Sequence, residues 1–175
     1  MQCLSIIAKS IGSKLSPHLS NIMPVLKRLT TGLKRDESVD EDNELTETAL
    51  STLEAIVRKC PLEVNDYLDD LLEASFNLVS YDPNYVYNDD EDEEMKEDEE
   101  DNGGWGDDYS DDGGVPEDDD DTSWKVRRAS VAIIDAVIKT RHDKVKYIIN
   151  NYATKLIDRV KERIDDVKIE ILNAL

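Results

Sequence analysis

LEAIVRK, Leu53 to Lys59, and IDAVIKT, Ile134 to Thr140, lie 81 residues apart and share one pattern. Each opens on an aliphatic residue and an acid, Leu53-Glu54 or Ile134-Asp135, and continues through aliphatic positions to a base. Leu53, Ile56, Val57 and Cys60 recur at i, i+3, i+4 and i+7, the signature of one face of an α-helix. Leu45 and Ala49 extend that stripe upstream. Pro61 breaks it, and Val64, Leu68, Leu71, Leu72, Leu78 and Val79 form the next. After a long interruption come Val126, Ile133, Ile134, Val137 and Ile138, then Val145, Ile148, Ile149, Tyr152, Leu156, Ile157 and Val160. No alternating run with hairpin chemistry is present, so the expected class is all-α.

The same register recurs elsewhere. A shift of 46 lays Leu4, Ile7 and Ile11 on Leu50, Leu53 and Val57, and Ile22, Val25, Leu26 and Leu33 on Leu68, Leu71, Leu72 and Val79. The shift of 81 lays Leu68, Phe76 and Val79 on Ile149, Ile157 and Val160. Without the forty residues Asp82 to Asp121 it shrinks to 41, which is also the spacing from Val126-Arg127 to Val167-Lys168. Helix pairs repeating every 40–47 residues have the HEAT/armadillo period. The expectation is an α-solenoid of helix pairs, residues 1–81 and 123–175, interrupted by an acidic insertion at 82–122. One such pair cannot bury its apolar face alone. The chain opens inside an apolar helix and stops at ILNAL without a cap, which reads as part of a longer array.

Charge isolates the insertion. The formal net charge is −20, yet Asn88 to Asp121 alone carries −19, residues 1–87 carry −6 and residues 122–175 carry +5. An acid-dominated tract broken by Gly103-Gly104, Gly106, Gly113-Gly114 and Pro116 cannot bury a core and is expected to be disordered. Lengthening a connection from a few residues to about forty adds only about 2 kcal/mol of closure entropy. Asp108, Ser110, Asp112, Gly113 and Asp119 loosely trace a calcium loop, but the bidentate Glu is missing and Pro116 intrudes. The tract ends at EDDDDTSWKVRR, Glu117 to Arg128. Thr122 or Ser123 offers an N-cap oxygen, Trp124, Val126 and Ala129 begin a buried face, and Lys125, Arg127 and Arg128 are expected to point elsewhere.

Other chemistry is absent from the sequence. There is no GxGxxG, P-loop or HExxH motif, so neither an enzyme nor a cofactor is expected. His18 and His142 fall near inter-helix turns without a neighbouring nucleophile. Cys3 and Cys60 form no metal spacing and both read as buried thiols. No apolar run approaches the roughly 20 residues of a membrane span, and MQCLSIIAKSIG is a poor signal peptide. A nuclear and cytoplasmic location is expected, with no membrane partner. The acids argue against nucleic acid as the ligand of Lys125, Arg127 and Arg128. Pro24 is expected in a first helical turn or at a kink.

Five stretches resemble one family: LSPHLSNIMPVL (Leu15–Leu26), YDPNYVYNDDEDEE (Tyr81–Glu94), DDDDTSWKVRRAS (Asp118–Ser130), KTRHDKV (Lys139–Val145) and RVKERIDDVK (Arg159–Lys168). They are similar to the cullin-associated, neddylation-dissociated proteins, also known as TATA-binding-protein-interacting proteins. The GGWG interruption departs from that family's more uniformly acidic tract. The resemblance implies the N-terminal part of a long HEAT solenoid. It also implies a non-enzymatic scaffold that binds an unmodified cullin and its RING subunit and regulates assembly of cullin–RING ubiquitin ligases. The rival reading is an importin-β-like transport receptor with an acidic loop.

Second helices of stacked pairs line an extended surface in such solenoids. The candidate contact residues on them are Asp66, Asp69, Asp70 and Glu73 in one helix, and Lys146, Asn150, Asn151, Lys155 and Arg159 in another.

Overall fold

The computed structural model describes residues 2–31, 40–81 and 122–175, with residues 40–42 as backbone only. The expected disordered insertion, its glycines and its calcium-loop positions lie outside these residues. Among the described residues every regular element is helical. In order they are α1 (Gln2–Ile11), α2 (Leu19–Thr31), α3 (Asp40–Lys59), α4 (Leu68–Leu78), α5 (Ser123–Thr140), α6 (His142–Asp158) and α7 (Asp165–Ala174). Single 3₁₀ stretches join α1 to α2 (Gly12–His18), lead into α4 (Asn65–Tyr67) and follow α6 (Arg159–Lys161). Among the described residues Gly12 alone has a positive φ, +56°, and turns the chain just past α1, where a side chain would be strained.

The first helices stack in sequence order, α1 on α3, α3 on α5 and α5 on α7. The second helices lie along one side, with α4 packed on both α5 and α2. This is a HEAT-type solenoid of helix pairs. The described residues form one compact unit.

The repeat register holds at atomic level. Leu53 and Ile134 are both buried, and so are Leu50 and Val131, which the same shift relates. The helices carrying them end in register too, at Lys59 and Thr140. Each fully buried aliphatic side chain in this line contributes about 1.5–3 kcal/mol relative to exposure.

The residues that follow are equivalent as well, and both fasten a turn. Cys60 Sγ lies 3.2 Å from the Gly12 carbonyl oxygen. Arg141, also buried, donates from Nη1 to the Pro61 carbonyl (2.8 Å) and from Nη2 to Asn65 Oδ1 (2.9 Å). Its paired bonds to Asp143 hold that carboxyl at a pKa of about 2. Between the stacked first helices, Arg58 of α3 reaches Asp135 of α5 at 3.0 Å, and Lys139 reaches the same carboxylate at 2.8 Å.

Several expectations need correction. Cys3 is exposed, because the face of α1 that meets α3 is carried by Ser5 and Ala8. Leu45 is 42% exposed on α3. Ile149 and Ile157 are 59% and 57% exposed. Their equivalents in α4, Leu68 and Phe76, are covered by the following pair, whereas no described helix covers that side of α6. Of the two places expected for Pro24, the first helical turn is not the one taken: it sits in the second turn of α2, where it leaves the Ser20 carbonyl without its i+4 donor. Thr122 takes the N-cap position of α5, but its Oγ1 accepts a bond from Asn43 Nδ2 (3.1 Å) instead of capping the helix.

Candidate protein-interaction surface

The exposed sides of α2, α4 and α6 form a surface whose charge alternates helix by helix. α2 presents Lys27 and Arg28. The 3₁₀ turn before α4 and α4 itself present Asp66, Asp69, Asp70 and Glu73. α6 presents Lys146 and Lys155. Each seam between neighbours is crossed by an ion pair, Lys27 with Asp70 at the first and Lys144 with Asp69 (2.8 Å) at the second. All these acids face water, so each pair is worth at most about 1 kcal/mol. The arrangement offers hydrogen bonding and charge of both signs to a partner along three adjacent helices.

The sequence candidates divide accordingly. Asp66, Glu73, Lys146 and Asn150 are exposed. Asp69 and Asp70 are exposed but engaged across the seams. Asn151 donates to the Tyr147 carbonyl at 2.7 Å. Lys155 Nζ stands 5.7 Å from the Tyr152 ring centroid, within cation–π range. Arg159 is different: it is half-buried, and its Nη2 donates to Glu162 at 2.9 Å. A change at Arg159 therefore acts on the fold as well as on any contact.

Sequence reasoning missed the aromatic element of this surface. Phe76 of α4 and Tyr152 of α6 stack with centroids 3.9 Å apart and planes 4° from parallel. Tyr147 meets Tyr152 edge-on at 6.0 Å, with Lys144 5.9 Å above its ring. Burial pushes the Tyr152 phenol pKa up, and its bond to Tyr147 and the charges of Glu73 and Asp69 push the same way. Tyr147 is 42% exposed. It falls one position off the buried stripe of α6, and that offset was the available signal. Among the described residues no group of three His, Cys, Asp or Glu side chains is placed to hold a metal.

No family model matches the chain. Curated proteins do. The chain is 36% identical over 174 residues to cullin-associated NEDD8-dissociated protein 1 of Arabidopsis thaliana, covering 99% of this chain and 13% of that protein. It is 40% identical over 179 residues to the Dictyostelium discoideum protein of the same name, covering 99% and 14%. The chain belongs to the cullin-associated NEDD8-dissociated protein family. It spans about one-seventh of the length of these relatives. A further match, 37% over 155 residues, is to the family's "C-terminal part" protein in Emericella nidulans, covering 80% of this chain and 15% of that one. The name bears on the expected N-terminal placement, because in that fungus the matched stretch belongs to a polypeptide called the C-terminal part.

Three of the stretches that carried the family resemblance meet at one side chain. Arg127, in SWKVRR, does not point away from the core as expected; it is 2% exposed. Its Nη1 donates to the carbonyl of Tyr81, which opens YDPNY, at 3.0 Å, and to Ser123 Oγ at 2.9 Å. Its Nε and Nη2 take both carboxylate oxygens of Glu162, at 3.1 and 3.3 Å. Glu162 Oε1 also accepts the backbone N–H of Arg163 (3.0 Å) and of Ile164 (3.3 Å), just before α7. Burial alone would raise the Glu162 pKa, but the Arg127 charge, the Ile164 N–H and Arg159 together hold it below the usual range. A buried arginine is sustainable only when it is paired and hydrogen-bonded in this way. In this family member, SWKVRR thus fastens the end of α4, the start of α5 and the loop before α7.

Proposed function

We propose that this chain is a binding segment, without catalytic activity, that grips an unmodified cullin together with its RING subunit. It thereby regulates the assembly of cullin–RING ubiquitin ligases in nucleus and cytoplasm. The observation that carries this reading is the second-helix surface itself, three adjacent rods of alternating charge around an exposed tyrosine, in a chain whose relatives are named cullin-associated. Tyrosine and arginine are favoured anchors of protein interfaces, and charges of both signs fix register and exclude wrong partners. Longer relatives would extend the same surface by stacking further pairs. The exposed Ile149 and Ile157 of α6 and the exposed Ile6 and Ile7 of α1 suit such stacking.

The test is a pull-down of the purified chain with two baits side by side. One is an unmodified cullin–RING complex; the other is a GTP-loaded nuclear transport GTPase. Retention by the cullin–RING bait alone is expected. Retention by the GTPase alone would replace this reading with that of a transport receptor.

A further inference from the structure

The two seams between second helices are equivalent in the repeat but filled differently. The shift of 46 lays Thr30 of α2 on Phe76 of α4, and the shift of 81 lays Leu71 of α4 on Tyr152 of α6. Phe76 and Tyr152 are the stacked pair that closes the α4/α6 seam. In the α2/α4 seam, Thr30 and Leu71 leave a cleft of about 170 Å³. Its walls include Met23, Pro24, Leu71 and Ala74, and Lys27 and Asp70 stand at it. Apolar cavities of about 150 Å³ take up a benzene-sized ring.

We propose that this cleft receives one aromatic side chain of the partner polypeptide, a tyrosine or tryptophan. This rests on the reading of the second-helix surface as the cullin-binding face. The occupant follows from the chain's own repeat, since an aromatic ring fills the equivalent space one pair further on. The surroundings select a ring with a polar edge. Asp70 can accept from a phenol O–H or an indole N–H, and Lys27 can lie over the ring face, as Lys155 does over Tyr152. Pro24 adds a rigid wall and, having no N–H, leaves no donor there to satisfy.

The decisive variant grafts the closed seam onto the open one, Thr30→Phe with Leu71→Tyr. It supplies the missing pair from within, and circular dichroism and melting would check that it folds. Two readouts apply. Indole added at millimolar concentration should shift the NMR signals of Met23 and Leu71 in the unaltered chain, and the graft should abolish the Met23 shift. The unmodified cullin–RING complex should bind the unaltered chain and lose at least tenfold in affinity for the folded graft. If indole moves neither signal, the cleft is not a ring site and the inference falls. If cullin–RING binds both chains equally, the partner does not use the cleft and the inference falls, while the proposed function stands. If indole binds but cullin–RING does not bind the unaltered chain, the proposed function falls and with it the identity of the occupant. An Ala74→Phe variant blocks the cleft from another wall, and binding retained in that folded variant would likewise overturn the proposal.

Discussion

The α2/α4 and α4/α6 seams join the same kinds of helix in the same register, yet one holds a cleft and the other is closed by stacked rings. At the second seam two aromatic rings stack, and Arg127 binds the carbonyl beyond α4 and the carboxylate beyond α6. At the first, Thr30 and Leu71 stand in place of the rings. Thr46, which the shift of 81 lays on Arg127, makes only a long bond of 3.4 Å to the Leu29 carbonyl. A solenoid needs each neighbour interface to be stable enough to hold the stack. It does not need each one filled by its own side chains, and the unfilled seam is where a partner can supply the missing group.

The contrast can be broken most severely at Arg127. Arg127→Met should cost about 3–5 kcal/mol, because it strands a buried carboxylate. Adding Glu162→Leu should recover much of that loss, since two apolar groups leave no charge unpaired. Chemical denaturation of the two variants measures both effects. Opening the closed seam with Phe76→Thr and Tyr152→Leu makes it resemble the first, and about 3 kcal/mol should be lost in the same assay.

Acid offers a graded version of the Arg127 test. The folded pKa of Glu162 is lowered, so its contribution is complete above the unfolded value of about 4.3 and is lost as pH falls through the folded one. Melting curves between neutral pH and pH 3 should fall less steeply on the acid side for Glu162→Gln than for the unaltered chain. The smallest effect belongs to the open seam. Lys27→Ala or Asp70→Ala should change stability by no more than about 1 kcal/mol, because both side chains are more than half exposed.

The sequence made the fold legible wherever periodicity speaks. Leu53 and Ile134 were paired by pattern alone, and the structure buries them in equivalent places. Periodicity cannot say which neighbour covers a face, so Ile149 and Ile157 were assigned to the core although no described helix lies over them. It also treats every charge as solvent-seeking. Arg127 sits on a buried stripe, and its charge partner 35 residues away, Glu162, together with the Tyr81 carbonyl and Ser123, makes that position tolerable. All nine candidate contact residues were picked as polar positions of the second helices, and eight of them are exposed. Asn151 is tied down only locally, and Arg159 belongs to the Glu162 network. The exposed tyrosine and the cleft were not legible, since both depend on how two helices meet.

A calorimetric titration of an unmodified cullin–RING complex into matched charge-reversal variants tests the binding face most directly. One pair, Glu73→Lys with Lys146→Glu, lies on the second-helix surface; the other, Glu44→Lys with Lys59→Glu, lies on the exposed side of α3, and each leaves the net charge unchanged. The prediction is at least a tenfold loss of affinity for the first pair and no change for the second. Equal affinities for both pairs, or a loss confined to the α3 pair, would contradict it.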